Sequence, residues 1–354
     1  MTTKVRLIRA SACLAMWFGL VLSAERIAAQ GCEPIRFTTP VDLGGAGQAY
    51  QPAQEWRLTL AYRRLRSDEF FVGTTSAPTA GPGREAPVID VSTFVADVAY
   101  SIDSRYRLRL SVPFSAGTLS RKWPDLSKHA QNANGLGDVS VISEAWLLNP
   151  GSHENGNFAL GFGVKAPTGK HNIESKFYKA DGPVPFPADQ TIEPGDGGWA
   201  LHFQAQAFRR VTERTVLYGT GAYMASLKAE SDVLSAPSGG YPWSVPDVFS
   251  AQLGVAFLAW PDQGLSLSLG ARADGIPLHN VFSGGDATTI KRVANVLLAE
   301  PGLSLNRGKG TFALSVPIRL RANRMQSLLE RRLNEFNGGG FAKYLVFASY
   351  SYRF

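Results

Sequence analysis

The sequence predicts an all-β membrane protein: a transmembrane antiparallel up-and-down β-barrel of about 12 strands, with long extracellular loops and short periplasmic turns. Three observations lead there. Apolar and polar residues alternate with period two through most of residues 55–354. The alternating runs reach about 9–11 residues, the length a tilted strand needs to cross a bilayer, whereas ordinary globular strands are nearer 5–6. The connections between the runs alternate long and short, as loops and turns on opposite sides of a membrane do.

Composition agrees. Among 354 residues there are 36 glycines, 11% aromatics and only 18% charged residues, against about a quarter charged in ordinary soluble domains. After residue 24 there is no run of about 18 apolar residues, so no transmembrane helix is expected.

The N-terminus reads as a cleaved secretory signal over residues 1–30. Lys4, Arg6 and Arg9 are followed by an apolar stretch from Ala10 to Ala24 and then by the small residues Ala28 and Ala29. Removing it leaves 32 basic against 28 acidic residues, a net charge of +4 where the full chain has +7. So small a surplus gives no reason to expect a nucleic-acid partner. Cys13 leaves with the signal, so Cys32 has no disulfide partner. Ala29 stands where a lipoprotein signal favours Leu, and Glu25 and Arg26 interrupt the apolar run, which argues against a lipid anchor at Cys32. Residues 31–54 are rich in Gly and Pro. They are expected to form a periplasmic extension or a segment tucked into the lumen, and Gly44-Gly45-Ala46-Gly47 lacks the strand–helix context of a dinucleotide site.

The barrel then occupies 55–354. Tyr106, Leu108, Leu110, Val112 and Phe114 share one face, and Arg105, Arg107, Arg109 and Ser111 the other. The runs at 158–166, 199–208, 249–257, 265–272 and 312–321 repeat the pattern. Weaker runs near 56–66, 89–101, 138–148, 215–227 and 294–305, with the terminal strand, bring the number to 12. Long connections are expected near 67–88, 118–136, 167–197, 228–246, 275–293 and 322–341, and short ones at 102–104, 149–157, 212–214, 261–264 and 306–310. An even strand number places both ends of the barrel in the periplasm. No water in a bilayer can satisfy a free strand edge, so the last strand must pair with the first. That last strand, Tyr344 to Phe354, points Tyr344, Val346, Ala348, Tyr350, Tyr352 and Phe354 toward lipid, and Lys343, Ser349, Ser351 and Arg353 inward. Tyr350, Tyr352 and Phe354 form the expected assembly signal.

Charged residues at the midplane of a lipid-facing wall cost roughly 2–4 kcal/mol, so the strand charges should face the lumen. The pore-lining candidates are Arg105, Arg107, Arg109, Glu144, Lys165, His202, Gln204, Gln206, Arg272, Asp274, Arg319 and Arg321. Such charges either select anionic or polar solutes or pair with one another and stiffen the wall. No catalytic residues, metal ligands or cofactors are expected: the chain has no G-x-S-x-G elbow and no H-E-x-x-H motif, and only His202 of the five histidines lies in a strand. The 31-residue loop 167–197 carries five prolines and is long enough to fold inward as a constriction or lid. In loop 322–341 the spacing of Leu328, Leu329 and Leu333 allows a short helix, ended by Gly338-Gly339-Gly340, or else a mobile loop.

Three stretches resemble a family named for the MetA pathway of phenol degradation: Gly135-Leu136-Gly137-Asp138-Val139, then Gly161 to Gly169 ending in Lys165-Ala166-Pro167-Thr168-Gly169, then Pro194-Gly195-Asp196-Gly197-Gly198-Trp199. The resemblance runs over about residues 90–354. It implies an outer-membrane barrel with a transport role and supplies no catalytic residue. The Pro-rich insert after Gly169 is longer than that pattern.

The reading that follows is an outer-membrane channel or uptake barrel for passive passage of small solutes, polar or anionic, or small and hydrophobic. The rivals are a non-conducting structural or surface-interaction barrel and, remotely, a lipid hydrolase. The expected partners are outer-membrane lipids, the Sec export and barrel-assembly machineries and an unnamed small solute.

Overall fold

A computed structural model describes residues 50–354, apart from residues 78, 82–83 and 238–239. The signal expected at 1–30 and all but the end of the 31–54 segment lie outside the described residues. Twelve antiparallel strands form the wall. They are β1 (Glu55–Val72), β2 (Val88–Ser101), β3 (Tyr106–Lys122), β4 (Ser140–Trp146), β5 (Gly156–Lys165), β6 (Ala200–Arg210), β7 (Thr215–Ser226), β8 (Val248–Trp260), β9 (Leu265–Ile276), β10 (Ala294–Arg307), β11 in two pieces (Gly310–Ser315 and Ile318–Arg324) and β12 (Gly339–Arg353). Each pairs with its neighbours in sequence. β12 closes the barrel on β1, from Arg57↔Arg353 to Phe71↔Gly339.

Alternation sets the faces. Leu60, Phe94, Leu253 and Leu269 are 56%, 56%, 71% and 62% exposed on the outer wall, which is where a period-two apolar face belongs in a barrel that meets lipid. Trp56, Tyr106, Trp260, Tyr352 and Phe354 are exposed near the short-turn end, and Tyr344 marks the other edge of the band. The ten steps from Tyr344 to Phe354, at about 3.3 Å each and a tilt near 40°, span about 25 Å, the height of such a band. The turn after β8 shows why one glycine is needed. Gly264 has φ +67°, and a Cβ there would meet the Asn306 carbonyl oxygen at 2.3 Å.

The structure differs from the sequence expectation in three places. The 118–136 connection is no loose loop. β3 runs to Lys122 and Lys128–Leu136 returns along it as a hairpin continuing the sheet, because the alternation of Gln131 and Ala133 inward with Asn132 and Asn134 outward persists there. In 325–338 a helix, α1 (Leu328–Leu333), does form. Ser327 Oγ accepts the Glu330 N–H (3.2 Å) and the Glu330 carboxylate accepts the Ser327 N–H (2.7 Å), a reciprocal cap. It ends at Asn334 in the left-handed region (φ 53°); the glycine run does not end it, and Gly339-Gly340 instead open β12.

The third difference is in the wall. β11 breaks at Val316-Pro317. Its second piece meets β12 at one residue pair, Ile318↔Tyr344, and is tied at its top to β1 by the Gly73↔Arg324 bridge. Three bulges lie around this seam; one leaves Asp68 of β1 extra between Ser67↔Ala342 and Glu69↔Phe341, and the other two displace cations. On β11, Leu297 and Leu298 of β10 oppose Arg321 and Arg319, leaving Leu320 extra. On β12, Tyr344 and Lys343 together oppose the single residue Arg66 of β1. A bulge shifts the side-chain alternation by one position. Arg321 and Lys343, both expected inward, are therefore exposed on the outer face.

Candidate functional site: a lumen in two compartments

The lumen near the short-turn end is a cavity of about 750 Å³. Its lining includes Arg57 and Thr59 of β1, Asp97 of β2, Arg107 and Arg109 of β3, Glu144 of β4, Gln204 and Gln206 of β6, Tyr218 of β7, Gln252 of β8, Ser268 and Arg272 of β9, Glu300 of β10, and Ser349, Ser351 and Arg353 of β12. Six arginines (Arg57, Arg107, Arg109, Arg210, Arg272, Arg353) meet four carboxylates (Asp97, Glu144, Glu154, Glu300) on this surface.

Neighbouring side chains pair several of these charges. Glu144 lies between Arg107, whose Nε donates to it at 2.9 Å, and Arg109, 3.2 Å from its other oxygen. Arg109 also donates to Gln204 Oε1 at 2.9 Å. Arg272 donates to Asp274 at 2.8 Å and approaches Glu300 at 3.7 Å, while Ser315 Oγ donates to Glu300 at 2.7 Å. Tyr50, packed edge-on against Trp146 and Phe208 at 5.1 and 5.6 Å, stands at the mouth. Burial raises its phenol above the usual range, partly offset by a bond with Asn157.

Toward the long loops the inward face changes character. Leu65, Ile89, Leu119, Val296, Leu298, Phe341 and Leu345 point inward from β1, β2, β3, β10 and β12, and Ala188 and Ile192 of loop 166–199 fill the space between them. Leu298, Phe341 and Ile89 are fully buried. Gly117 makes room for this: a Cβ there would lie 2.7 Å from Ile192 Cβ. The outer half of the lumen is thus an ordinary packed core. Phe347 stands at the boundary, belonging to the core and to the cavity lining, with Arg63 and Arg272 at 5.4 and 5.0 Å from its ring centroid.

Polar contacts pin the plugging loop. Lys165 Nζ, buried, bonds to Asp138 (3.0 Å) and Asp196 (2.5 Å), one on each side of the loop's root. Asp138 also accepts the N–H groups of Gly169 (3.0 Å) and Asp196 (3.2 Å). Arg292 donates to Thr191 (2.6 Å) and Asp189 (3.3 Å), and the Asp189 N–H reaches Gln131 (3.1 Å). In the adjoining loop, Lys291 bonds to Asn280 (2.6 Å) and Asp286 (2.9 Å). Burial lowers its ammonium below the usual range, and Asp286 works against that shift.

The twelve sequence candidates divide accordingly. Arg107, Arg109, Glu144, Gln204, Gln206 and Arg272 line the cavity. Lys165, His202 and Asp274 face inward but are buried above it, Lys165 in the loop anchor and Asp274 against Arg272. Arg105 does not face the lumen. It is exposed in the β2–β3 turn, donating to the carbonyls of Trp146 (2.7 Å) and Leu147 (3.0 Å), because the sheet alternation has ended at that point. Arg319 spans the seam, donating to the Phe341 and Ala342 carbonyls at 3.0 Å each and pairing with Glu69. Arg321 is on the outside, for the reason given above. Sequence reading passed over Gln252, Ser268 and Glu300, whose alternation was visible, and the plug residues Ala188 and Ile192, for which a non-repetitive loop gives no signal. Tyr350 and Tyr352 are exposed on the outer wall, as is Phe354, stacked with Tyr352 at 6.3 Å.

Neither a family model nor a curated protein sequence matches the chain. Its fold matches solved structures. A COG4313 outer membrane channel from Pseudomonas putida F1 aligns with a TM-score of 0.59 at 14% identity, over 90% of this chain and all of that one. A Pseudomonas aeruginosa FadL homologue (TM-score 0.43, 9% identity, 85% of this chain and 90% of that one) and the P. putida toluene transporter TodX (0.43, 10%, 86% and 91%) are more distant. The chain is therefore a closed 12-stranded antiparallel barrel with the fold of an outer-membrane channel.

Proposed function

We propose that this protein is a passive uptake barrel of the outer membrane, exported by its N-terminal signal and assembled through its aromatic last strand. The observation that carries this is the cavity of about 750 Å³ lined by arginines, carboxylates, amides and hydroxyls from at least nine strands. It is large enough for a small solute. Several of its charges are paired with each other, among them Arg107, Arg109 and Glu144, which suits transient contact with a passing solute rather than covalent chemistry. Passage requires loop 166–199 to leave the outer half. It would then expose an apolar wall above a polar, arginine-rich vestibule, a sequence of surfaces suited to small molecules with an apolar part and a polar or anionic part.

The packed outer core favours a second reading, a barrel that does not conduct and works through its loops. Single-channel recording in planar bilayers separates them. The uptake reading expects brief, rare openings in wild type and long-lived ones in Ile192→Asp, which places a carboxylate in the apolar plug. Silence in both supports the non-conducting barrel.

A further inference from the structure

We propose that the outer wall of β11, β12 and β1, at the level of the long-loop edge of the membrane band, binds the phosphate groups of an outer-leaflet lipid. Two of the three bulges around the seam turn Arg321 and Lys343 outward. On β1 the outward residues change from Leu58, Leu60 and Tyr62 to Arg64 and Arg66. Register sets Arg66 opposite Tyr344 and Lys343, so the cations lie on adjoining strands beside the aromatic residue that marks the membrane edge. Arg64, Arg66 and Lys343 have side chains 51%, 57% and 59% exposed.

The local carboxylates do not balance them. Asp90 is shared by Arg64 (2.9 Å) and Arg66 (3.7 Å). Glu69 is shared by Lys343 (3.1 Å) and Arg319. Asp68 is exposed nearby. Among the described residues Arg321 makes no ion pair. Five cations therefore meet three carboxylates. The surplus is local: β2 and β4–β10 carry no outward Arg or Lys in their long-loop halves. Cations at this depth face headgroups, where guanidinium and ammonium groups on neighbouring strands suit phosphate oxygens. Paired charge facing hydrocarbon alone would gain nothing from two bulges that add cations.

The test uses the folded full-length barrel in detergent, titrated with lipopolysaccharide and with the same lipid stripped of phosphate, bound lipid being read by native mass spectrometry. The fourfold variant Arg64→Gln/Arg66→Gln/Arg321→Gln/Lys343→Gln is expected to bind lipopolysaccharide roughly a hundredfold more weakly. Arg209→Gln/Arg307→Gln at the other rim should bind as wild type, and the stripped lipid should bind wild type weakly. Folding is checked by heat-modifiable gel migration. If the fourfold variant does not fold, the four single variants replace it, each expected to weaken binding by a few-fold. Unchanged affinity in the variants, equal binding of the stripped lipid, or inorganic phosphate binding as tightly as the lipid would each overturn the proposal. None of these results depends on whether the barrel conducts.

Discussion

The two halves of the lumen share one wall and one strand register, yet they are built on opposite principles. Near the short turns the inward positions carry Arg107, Glu144, Gln204 and Ser268, which line a cavity of about 750 Å³. Near the long loops they carry Leu65, Ile89, Leu298 and Leu345, and the space is filled by Ile192 and Ala188. A polar lining holds itself open, since Arg107, Arg109, Glu144 and Arg272 are held by neighbouring side chains of the wall. An apolar lining in contact with water calls for a cover, and the loop supplies it. One barrel thereby keeps an open polar vestibule behind a packed apolar door.

The difference can be broken most severely at the door's hinge. Lys165→Met leaves Asp138 and Asp196 buried without their shared cation. A loss of roughly 3–5 kcal/mol is expected, read in hydrogen exchange as deprotection of 166–199 while β7–β9 stay protected. Unchanged protection would mean the anchor is dispensable. Matched truncations compare the halves directly. Leu298→Ala should cost roughly 2–5 kcal/mol in guanidinium unfolding, and Ser268→Ala less than about 0.5. Similar values would deny that the halves differ in packing. Gly117→Val pushes against Ile192 and is expected to cost about 1–3 kcal/mol; it should also raise open probability in bilayers. Glu144→Gln removes the carboxylate between Arg107 and Arg109, and a shift of about twofold toward anions in reversal potential is the expected outcome.

The smallest effect lies on the outer hairpin. Partial burial alone would raise the Asp125 carboxyl, but bonds from the Ser127 N–H and from His129 (2.6 Å) hold it below the usual carboxylate range. A carboxyl lowered on folding stabilises above its unfolded value, near 4, and that contribution fades as pH falls through the folded value. Because His129 stacks on Tyr178 of loop 166–199 at 3.8 Å, acidification below about pH 4 should loosen the contact between this hairpin and that loop. Hydrogen exchange over 123–136 that is flat across this range would remove the prediction.

Much of the barrel was legible in the chain because a membrane wall imposes a strict period of two and offers few exceptions. Arg107, Arg109, Glu144, Gln204, Gln206 and Arg272 reach the cavity as alternation says they should. The failures fall where alternation is interrupted. Arg105 lies one residue beyond the strand end. Arg321 and Lys343 follow bulges, and a bulge is a fact of register between two strands that neither strand announces alone. The helix α1 was signalled by the spacing of Leu328, Leu329 and Leu333, but its end at Asn334 was misread because three later glycines gave the louder signal.

By itself, then, the sequence determined the strand number, the two faces of each strand, the alternation of loops and turns and the closing role of the last strand. These follow from local periodicity and from the rule that no backbone group goes unpaired in a bilayer. Tertiary structure alone decided which half of the lumen is filled, that Ile192 fills it beside Gly117, and which cations the bulges turn to the outer face. Each of those depends on groups far apart in the chain meeting at one place, and no periodicity encodes such a meeting.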